Sequence, residues 1–447
     1  MEPNVGVNTK QSVRFLEKYF SGESIDYRQM IALFIPILVD QAFVVGLNLV
    51  NTAMISSSGV AAISAVNMID SLNIFLISVF IAVSTGGTVV VAQYKGSGND
   101  LMVSKATAGA TSSVSLMAFA IGMFGILFHN PLLNLLFGAA SPEVMENARI
   151  YLIGSCISYL GIAVVEAVCG ALRGIGRTRA SLVLSLIMNL TYVLLNLVFI
   201  NLLHMGVLGM TISINIARYL GAFCALYYLF RLDNDLHIRI RDLVVVKLSM
   251  LKKIMFIGMP FAAEQMFFNG GKILTQIFIV SLGTYALATN AIASSFAGIM
   301  QIPGNALSLT IITVVGQCMG SNNVKDARKF IKSFLVTSSL SLVVMGLLIM
   351  PFFNPLVSMF HPPAEIVGDI FLIVLINTIA QIPLWSVSFI TPSALRAAGD
   401  SKFTSMVSML TMWLFRVVLG YILGIVLNFG ILGVWMEMNC DWGIRGL

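Results

Sequence analysis

Ionisable side chains deep inside apolar runs are costly and rare, so they are the first candidates for chemistry in this sequence. Asp40 lies about eleven residues into an apolar run that begins near residue 29, about 16 Å along a helix. Asp70 lies about as deep in the next run, approached from the other side. Amide side chains accompany them: Asn48, Asn51, Asn67, Asn73, Asn189 and Asn196. Carboxylates with amide oxygens make a hard-cation shell. The same carboxylates make a proton site if burial raises a pKa towards neutrality. Asp40, Asp70, Asn51 and Asn196 are therefore candidate cation-coupling residues, against the plainer reading that the two carboxylates only hydrogen-bond within a bundle. Glu264, which stands where Asp40 stands in the first half, joins the group.

Lys272 follows Gly270 and Gly271, eight residues after Glu264. That spacing puts the pair on one side of a helix but about 12 Å apart, too far for an ion pair. A lysine in a span repels a cation or acts as a tethered one, so Lys272 is a candidate cavity residue. So are Gln41 and Gln265, the neighbours of the acidic pair. Arg218 and Arg416 fall late in their runs and are expected to pair with carboxylates of the bundle.

One stretch occurs twice. Residues 91–99 read VAQYKGSGN and residues 315–323 read VGQCMGSNN. Gln93 matches Gln317 and Gly96 matches Gly320, each 224 residues apart. The same spacing links Pro36 to Pro260, Asp40 to Glu264, Gln41 to Gln265 and Gly59 to Gly283. One residue off that register, Ala171-Leu172-Arg173 recurs as Ala394-Leu395-Arg396 and Gly176 as Gly399. The chain is an internal duplication. Gln93, Gly96, Gln317 and Gly320 end long apolar runs, where glycine permits close approach and glutamine caps backbone groups. Their expected role is architectural. Pro303 and Pro383 fall in mid-span and are expected to kink or hinge their helices.

The elements that must position these residues are membrane helices. The sequence is 58% hydrophobic and 10% charged, with mean hydropathy +0.92, whereas soluble domains carry about 25% charged residues. Twelve runs are long enough to span, from 29–54 to 430–447. The fold class is an all-α integral membrane protein of two six-helix bundles related by a parallel repeat. Basic residues gather in the N-terminal segment, after the even-numbered spans and in the centre (Arg231, Arg239, Arg241, Lys247, Lys252, Lys253), and the other side holds Arg149. That bias predicts both termini in the cytoplasm. The expected organisation is a cytoplasmic segment 1–28, an N-lobe 29–230, a cytoplasmic linker 231–252 and a C-lobe 253–447. Residues 1–28 are polar, so no cleavable signal is expected, and 11–20 could form a short surface helix.

The net charge of +6 does not imply nucleic acid, because the basic residues flank spans. The five cysteines lack CxxC spacing and read as small buried hydrophobes. No HExxH, GxSxG or P-loop pattern occurs, so the chain is not expected to be an enzyme.

The repeated Gln-x-x-Gly stretches, LRGIGRTR after span four, LRAAGDSKF after span ten, the PILVDQ and PFAAEQ openings and QIP at 301–303 together resemble the multidrug and toxic compound extrusion (MATE) family. The resemblance runs from about residue 29 to the end. It implies a V-shaped, monomeric transporter of the cell's inner (plasma) membrane, with membrane lipid around it. Such a transporter exports small organic compounds, often cationic, against inward flow of Na+ or H+, with no further cofactor. The sequence departs from the family at three places. Members often carry Asp where Asn51 stands in Val50-Asn51-Thr52 and where Asn196 stands in Leu195-Asn196-Leu197. Some carry one near Trp385, which makes Trp385 a candidate cavity residue. A lipid-linked precursor flippase of the same superfamily is the alternative. It would favour several Arg or Lys lining a cavity for pyrophosphate, whereas the only basic residues in the spans are Arg218, Lys272 and Arg416.

Overall fold

The computed structural model describes Arg14 and residues 17–55, 59–137, 141–232, 238, 240–244 and 247–446. Most of the expected surface helix before residue 17 lies outside the described residues. So do 233–237, 239, 245 and 246 of the linker.

The described residues are almost all helical, and among them there is no strand. Helices α1 (Tyr27–Ile55), α2 (Val60–Gly96), α3 (Asp100–Leu127), α4 (Pro142–Gly174), α5 (Thr178–Asn196) and α6 (Gly206–Tyr227) form the first repeat. The second consists of α7 (Leu248–Ser281), α8 (Thr284–Met300), α9 (Ile302–Gly320), α10 (Val324–Ile349), α11 (Ala364–Ala398), α12 (Ser401–Thr411) and α13 (Gly430–Gly446). Ten helices among the described residues are long and apolar enough to cross a membrane. Lys252, Lys253, Glu264 and Lys272 dilute α7, and α8 and α13 are only 17 residues each, so these three are not among the ten.

The eighth span is where the structure departs from the sequence reading. It was expected as one long helix kinked by Pro303. Instead α8 ends at Met300, the chain turns at Gln301, and Pro303 falls at the second position of α9. There its missing N–H removes no internal bond. Pro383 lies inside the 35-residue α11.

The duplication is written in the backbone. Positive φ recurs in pairs 224 residues apart: Gly59 (94°) with Gly283 (101°), Gly98 (70°) with Asn322 (58°), His204 (50°) with Asn428 (57°), and Gly206 (54°) with Gly430 (59°). Left-handed backbone is disfavoured for side-chain-bearing residues, so its recurrence at His204, Asn322 and Asn428 marks shared turns. Asn99 and Asn323 both cap helices by accepting a bond from the third amide on, at 3.1 and 3.0 Å. Span five ends in a π-helical segment, Leu197–Leu202, and span eleven in two, Met412–Leu419 and Ile422–Val426.

By packing, the described chain forms two compact units. One comprises Ala42–Lys95 and Asn99–Met266. Its core gathers Phe80, Tyr151, Leu152 and Tyr159, with the Phe80 and Tyr159 rings edge to face at 5.5 Å. Backbones meet directly where glycines allow it: a Cβ on Gly86 would lie 2.7 Å from the Gly258 amide nitrogen. In membranes, small residues at crossings supply the packing that hydrophobicity alone does not.

The other unit comprises Met1–Gln41, Gly96–Gly98 and Phe267–Leu447. Ile370, Phe296 and Trp435 lie in one core cluster, and Trp385, Leu342 and Trp442 in another. The two copies of the duplicated motif touch here. A Cβ on Gly96 would run into the carbonyl oxygen of Gln317. The N-terminal segment is tied to the turn between α9 and α10. The Ser24 amide donates to Asp326 at 2.9 Å, Ser333 donates to the Tyr19 carbonyl at 2.7 Å, and Asn323 donates to Glu23 at 3.3 Å. A hydrogen bond from Ser21 holds the Asp26 carboxyl below the usual carboxylate range. The lobes 29–230 and 253–447 describe the repeat; these units describe packing.

Candidate functional site

Asp70 lies in α2, half-buried, in the first of these units. Two neighbours donate to its Oδ1: the Tyr151 hydroxyl of α4 at 2.9 Å and the Asn73 amide at 3.2 Å. Asn73 is 4% exposed and extends the network. Its amide also donates to Ser155 at 3.1 Å, and its carbonyl accepts from Tyr159 at 2.7 Å. Arg218 of α6 donates to Ser158 at 2.7 Å, one turn from Ser155. Two helices thus meet at one carboxylate, α2 and α4, through an amide and a tyrosine hydroxyl, with Arg218 of α6 near by.

This arrangement joins two residues the sequence singled out, Asp70 and Asn73. It does not recruit Asn189, which donates to Ser185 in its own helix at 2.9 Å. The Asn51 side chain lies outside the described residues. Arg218, expected to pair with a carboxylate, donates instead to a serine, with Asp70 close enough to act on it through charge. The tyrosines were not anticipated. Tyr151 and Tyr159 are eight residues apart on α4, a polar-tipped pair on one helix face, and that spacing was the available signal.

Asp40 and Gln41 are half-buried in α1 and belong to the unit with the C-terminal helices. Glu264, 6% exposed, and Gln265 belong to the unit with Asp70. Gln93 and Gly96 end α2, and Gln317 and Gly320 end α9.

The second unit holds a polar cavity of about 240 Å³. Lys272, Gln276, Asn290, Arg416, Trp435 and Glu437 are among its walls. Lys272 keeps an exposed side chain, and its ammonium lies 4.6 Å from the centre of the Phe268 ring. Two guanidinium groups approach the same ring, Arg416 at 5.4 Å and Arg445 at 5.9 Å. Both also reach Asp441, at 3.9 and 3.4 Å, so Arg416 has the carboxylate partner expected of it. Trp435 donates to Asn290 at 3.1 Å. Glu437 is fully buried, and neither of its oxygens has a hydrogen-bond partner.

Of the candidate cavity residues, Lys272 lines this space and Trp385, Gln41 and Gln265 do not. Trp385 is 1% exposed and stacked on Phe389 at 4.6 Å. Sequence reasoning passed over Glu437, Asp441 and Arg445. Their i, i+4, i+8 spacing on α13 was the signal: three charges on one face of the last span.

A family model described as MatE matches residues 36–199 and 260–422, so it matches each repeat once. The chain is 25% identical over 420 residues to the "Uncharacterized transporter YisQ" of Bacillus subtilis (strain 168), covering 92% of this chain and 90% of that protein. It is also 25% identical over 420 residues to the "Probable multidrug resistance protein NorM" of Thermotoga maritima, covering 93% and 89%. Among solved structures, a MATE protein in complex with MaL6 superposes with a TM-score of 0.86 at 18% identity, over 97% of this chain and 95% of that one. The outward-facing conformation of a multidrug resistance MATE family transporter gives 0.84 at 19% identity, over 97% and 95%. At these identities the structural matches speak for the fold.

Proposed function

The chain belongs to the MatE family of membrane transporters, and from that premise we propose that it is a secondary active multidrug exporter of the inner (plasma) membrane. Its substrates are amphipathic organic compounds, cationic ones among them, and it is driven by Na+ or H+ antiport with alternating access between two lobes. The names of the T. maritima and B. subtilis relatives support transport and drug export. Asp70 is the observation that carries the coupling reading. It is a carboxylate in a span, where charge is costly, held by the amide of Asn73 in its own helix and by the hydroxyl of Tyr151 in α4. An ion moving against a cationic substrate needs a negative group that each can use in turn. Asp40 and Glu264, the other carboxylates from the duplicated position, are assigned the same kind of role.

The direct test is efflux of a cationic dye from proteoliposomes with Na+ and pH gradients imposed separately. Efflux driven by one gradient is expected. Efflux equally fast with neither gradient would reject the antiport reading.

Orientation is part of the proposal, and it rests on the basic-residue bias. Ser141 and Lys325 are both exposed at helix ends. In Ser141→Cys an impermeant thiol reagent is expected to label from outside, and in Lys325→Cys only after the membrane is opened. Labelling of Lys325→Cys in intact cells would invert the topology.

A further inference from the structure

The cavity bounded by α7, α8, the π-helical segment Met412–Leu419 and α13 carries a charge pattern that cation export does not use. Three cations, Lys272, Arg416 and Arg445, gather round the Phe268 ring. Two carboxylates, Asp441 and Glu437, stand against them, which leaves one positive charge in excess. That excess is not spread evenly. Asp441 is held between Arg416 and Arg445 at 3.9 and 3.4 Å, and Arg445 is further fixed by its bond to Ser388 at 2.9 Å. Lys272 has the Phe268 ring as its partner, and its exposed ammonium borders the cavity. Arg416 borders the same cavity, and its Nε, although buried, has no acceptor.

An ammonium with three donors and a guanidinium, both on residues that line one cavity, call for an acceptor carrying negative charge. The remaining walls suit the body of such a ligand. Trp435 offers an aromatic face, and Asn290, Gln276 and Thr275 offer neutral polar groups. At about 240 Å³ the cavity admits one small aromatic acid or one head group; drug-sized pockets begin at about 300 Å³.

We propose that this cavity binds the oxyanion group of an organic acid, a carboxylate, sulfonate or phosphate, on Lys272 and Arg416. The site deepens the export reading by naming a substrate group, and rests on that reading only for the direction of movement. Its source is either a soluble organic acid or the phosphate of an anionic lipid. Glu437 opposes the bound anion and so limits its affinity, which lets the site release what it binds.

Binding is tested apart from transport, with full-length protein in phosphatidylcholine nanodiscs and no gradient. The probe is 4-nitrobenzoate, read by quenching of tryptophan fluorescence, with 4-nitrobenzamide as the uncharged match. Saturable quenching by the acid is expected, with the amide at least tenfold weaker. Lys272→Gln should weaken the acid about ten- to hundredfold, the range for losing a charged hydrogen bond, and leave the amide unchanged. Lys272→Arg should bind the acid within a few-fold of the wild type. Glu437→Gln should tighten it. Nanodiscs containing phosphatidylglycerol separate the sources: competition with the probe assigns the site to lipid phosphate, and its absence to soluble acids. Equal binding of acid and amide, or an unchanged acid affinity in Lys272→Gln, overturns the proposal. Loss of acid binding in Glu437→Gln overturns it too. Normal binding without any gradient-driven efflux counts against the export reading alone.

Discussion

Asp70→Asn is expected to reduce gradient-driven efflux to the level of empty liposomes while the protein remains folded. The amide has the shape of the carboxylate and keeps one carbonyl oxygen. That oxygen can still accept from Tyr151 at 2.9 Å and from Asn73 at 3.2 Å. The network through Asn73, Ser155 and Tyr159 therefore has no reason to rearrange. What is lost is the negative charge and the ability to hold a proton, and no asparagine restores either. A structural role for Asp70 predicts the opposite balance, with lowered thermal stability and partial efflux. The experiment needs both readouts, unfolding temperature in nanodiscs and dye efflux in proteoliposomes. Asp40→Asn and Glu264→Gln run beside it locate the coupling. Full gradient-driven efflux in Asp70→Asn together with its loss in Glu264→Gln would move the coupling group to the seventh span.

How much of this was legible in the sequence depends on the distance over which the information is carried. The duplication could be read letter by letter, and the backbone repeats it down to the positive φ of His204 and Asn428. The spans could be read because membrane insertion selects on local composition. The break at Gln301 was not read, since Gln-Ile-Pro is compatible both with a kink and with a fresh start at Ile302. Asp70 could be suspected from its depth alone. Its donor Tyr151 could not, because the two are 81 residues apart and meet only when α2 packs on α4. Lys272 was suspected as a stray charge, but the charges that surround it come from the π-helical segment Met412–Leu419 and from α13. A single charged residue in a span is visible in a sequence. The charge balance of a cavity is a property of packing.

Gly96→Ala is expected to destabilise the protein by about 1–3 kcal/mol, the usual range for forcing atoms into a packed site. The added methyl group would run into the Gln317 carbonyl oxygen and stand 2.7 Å from its Cα. These are backbone atoms of α9, so no rotamer change relieves the clash and the helix end itself must move. Gly96 and Gln317 belong to the two copies of the duplicated motif, which explains why a glycine closes α2 there and why a long helix can end against another backbone. Gly98→Ala is the matched contrast. Its Cβ would meet nothing within 4 Å, but its φ of 70° strains any side-chain-bearing residue, at about 1–2 kcal/mol. The first variant should therefore lose stability through contact and the second through backbone conformation. Asn tolerates left-handed backbone, as Asn322 does at the matching position with φ 58°. Gly98→Asn is thus expected to recover most of the loss seen in Gly98→Ala, while Gly96→Asn recovers none of the loss in Gly96→Ala. Unfolding temperatures of the four variants in nanodiscs decide the matter. A Gly96→Ala protein as stable as the wild type would mean that the two motif copies do not bear on each other, and the architectural role given to Gly96 and Gln317 would fall.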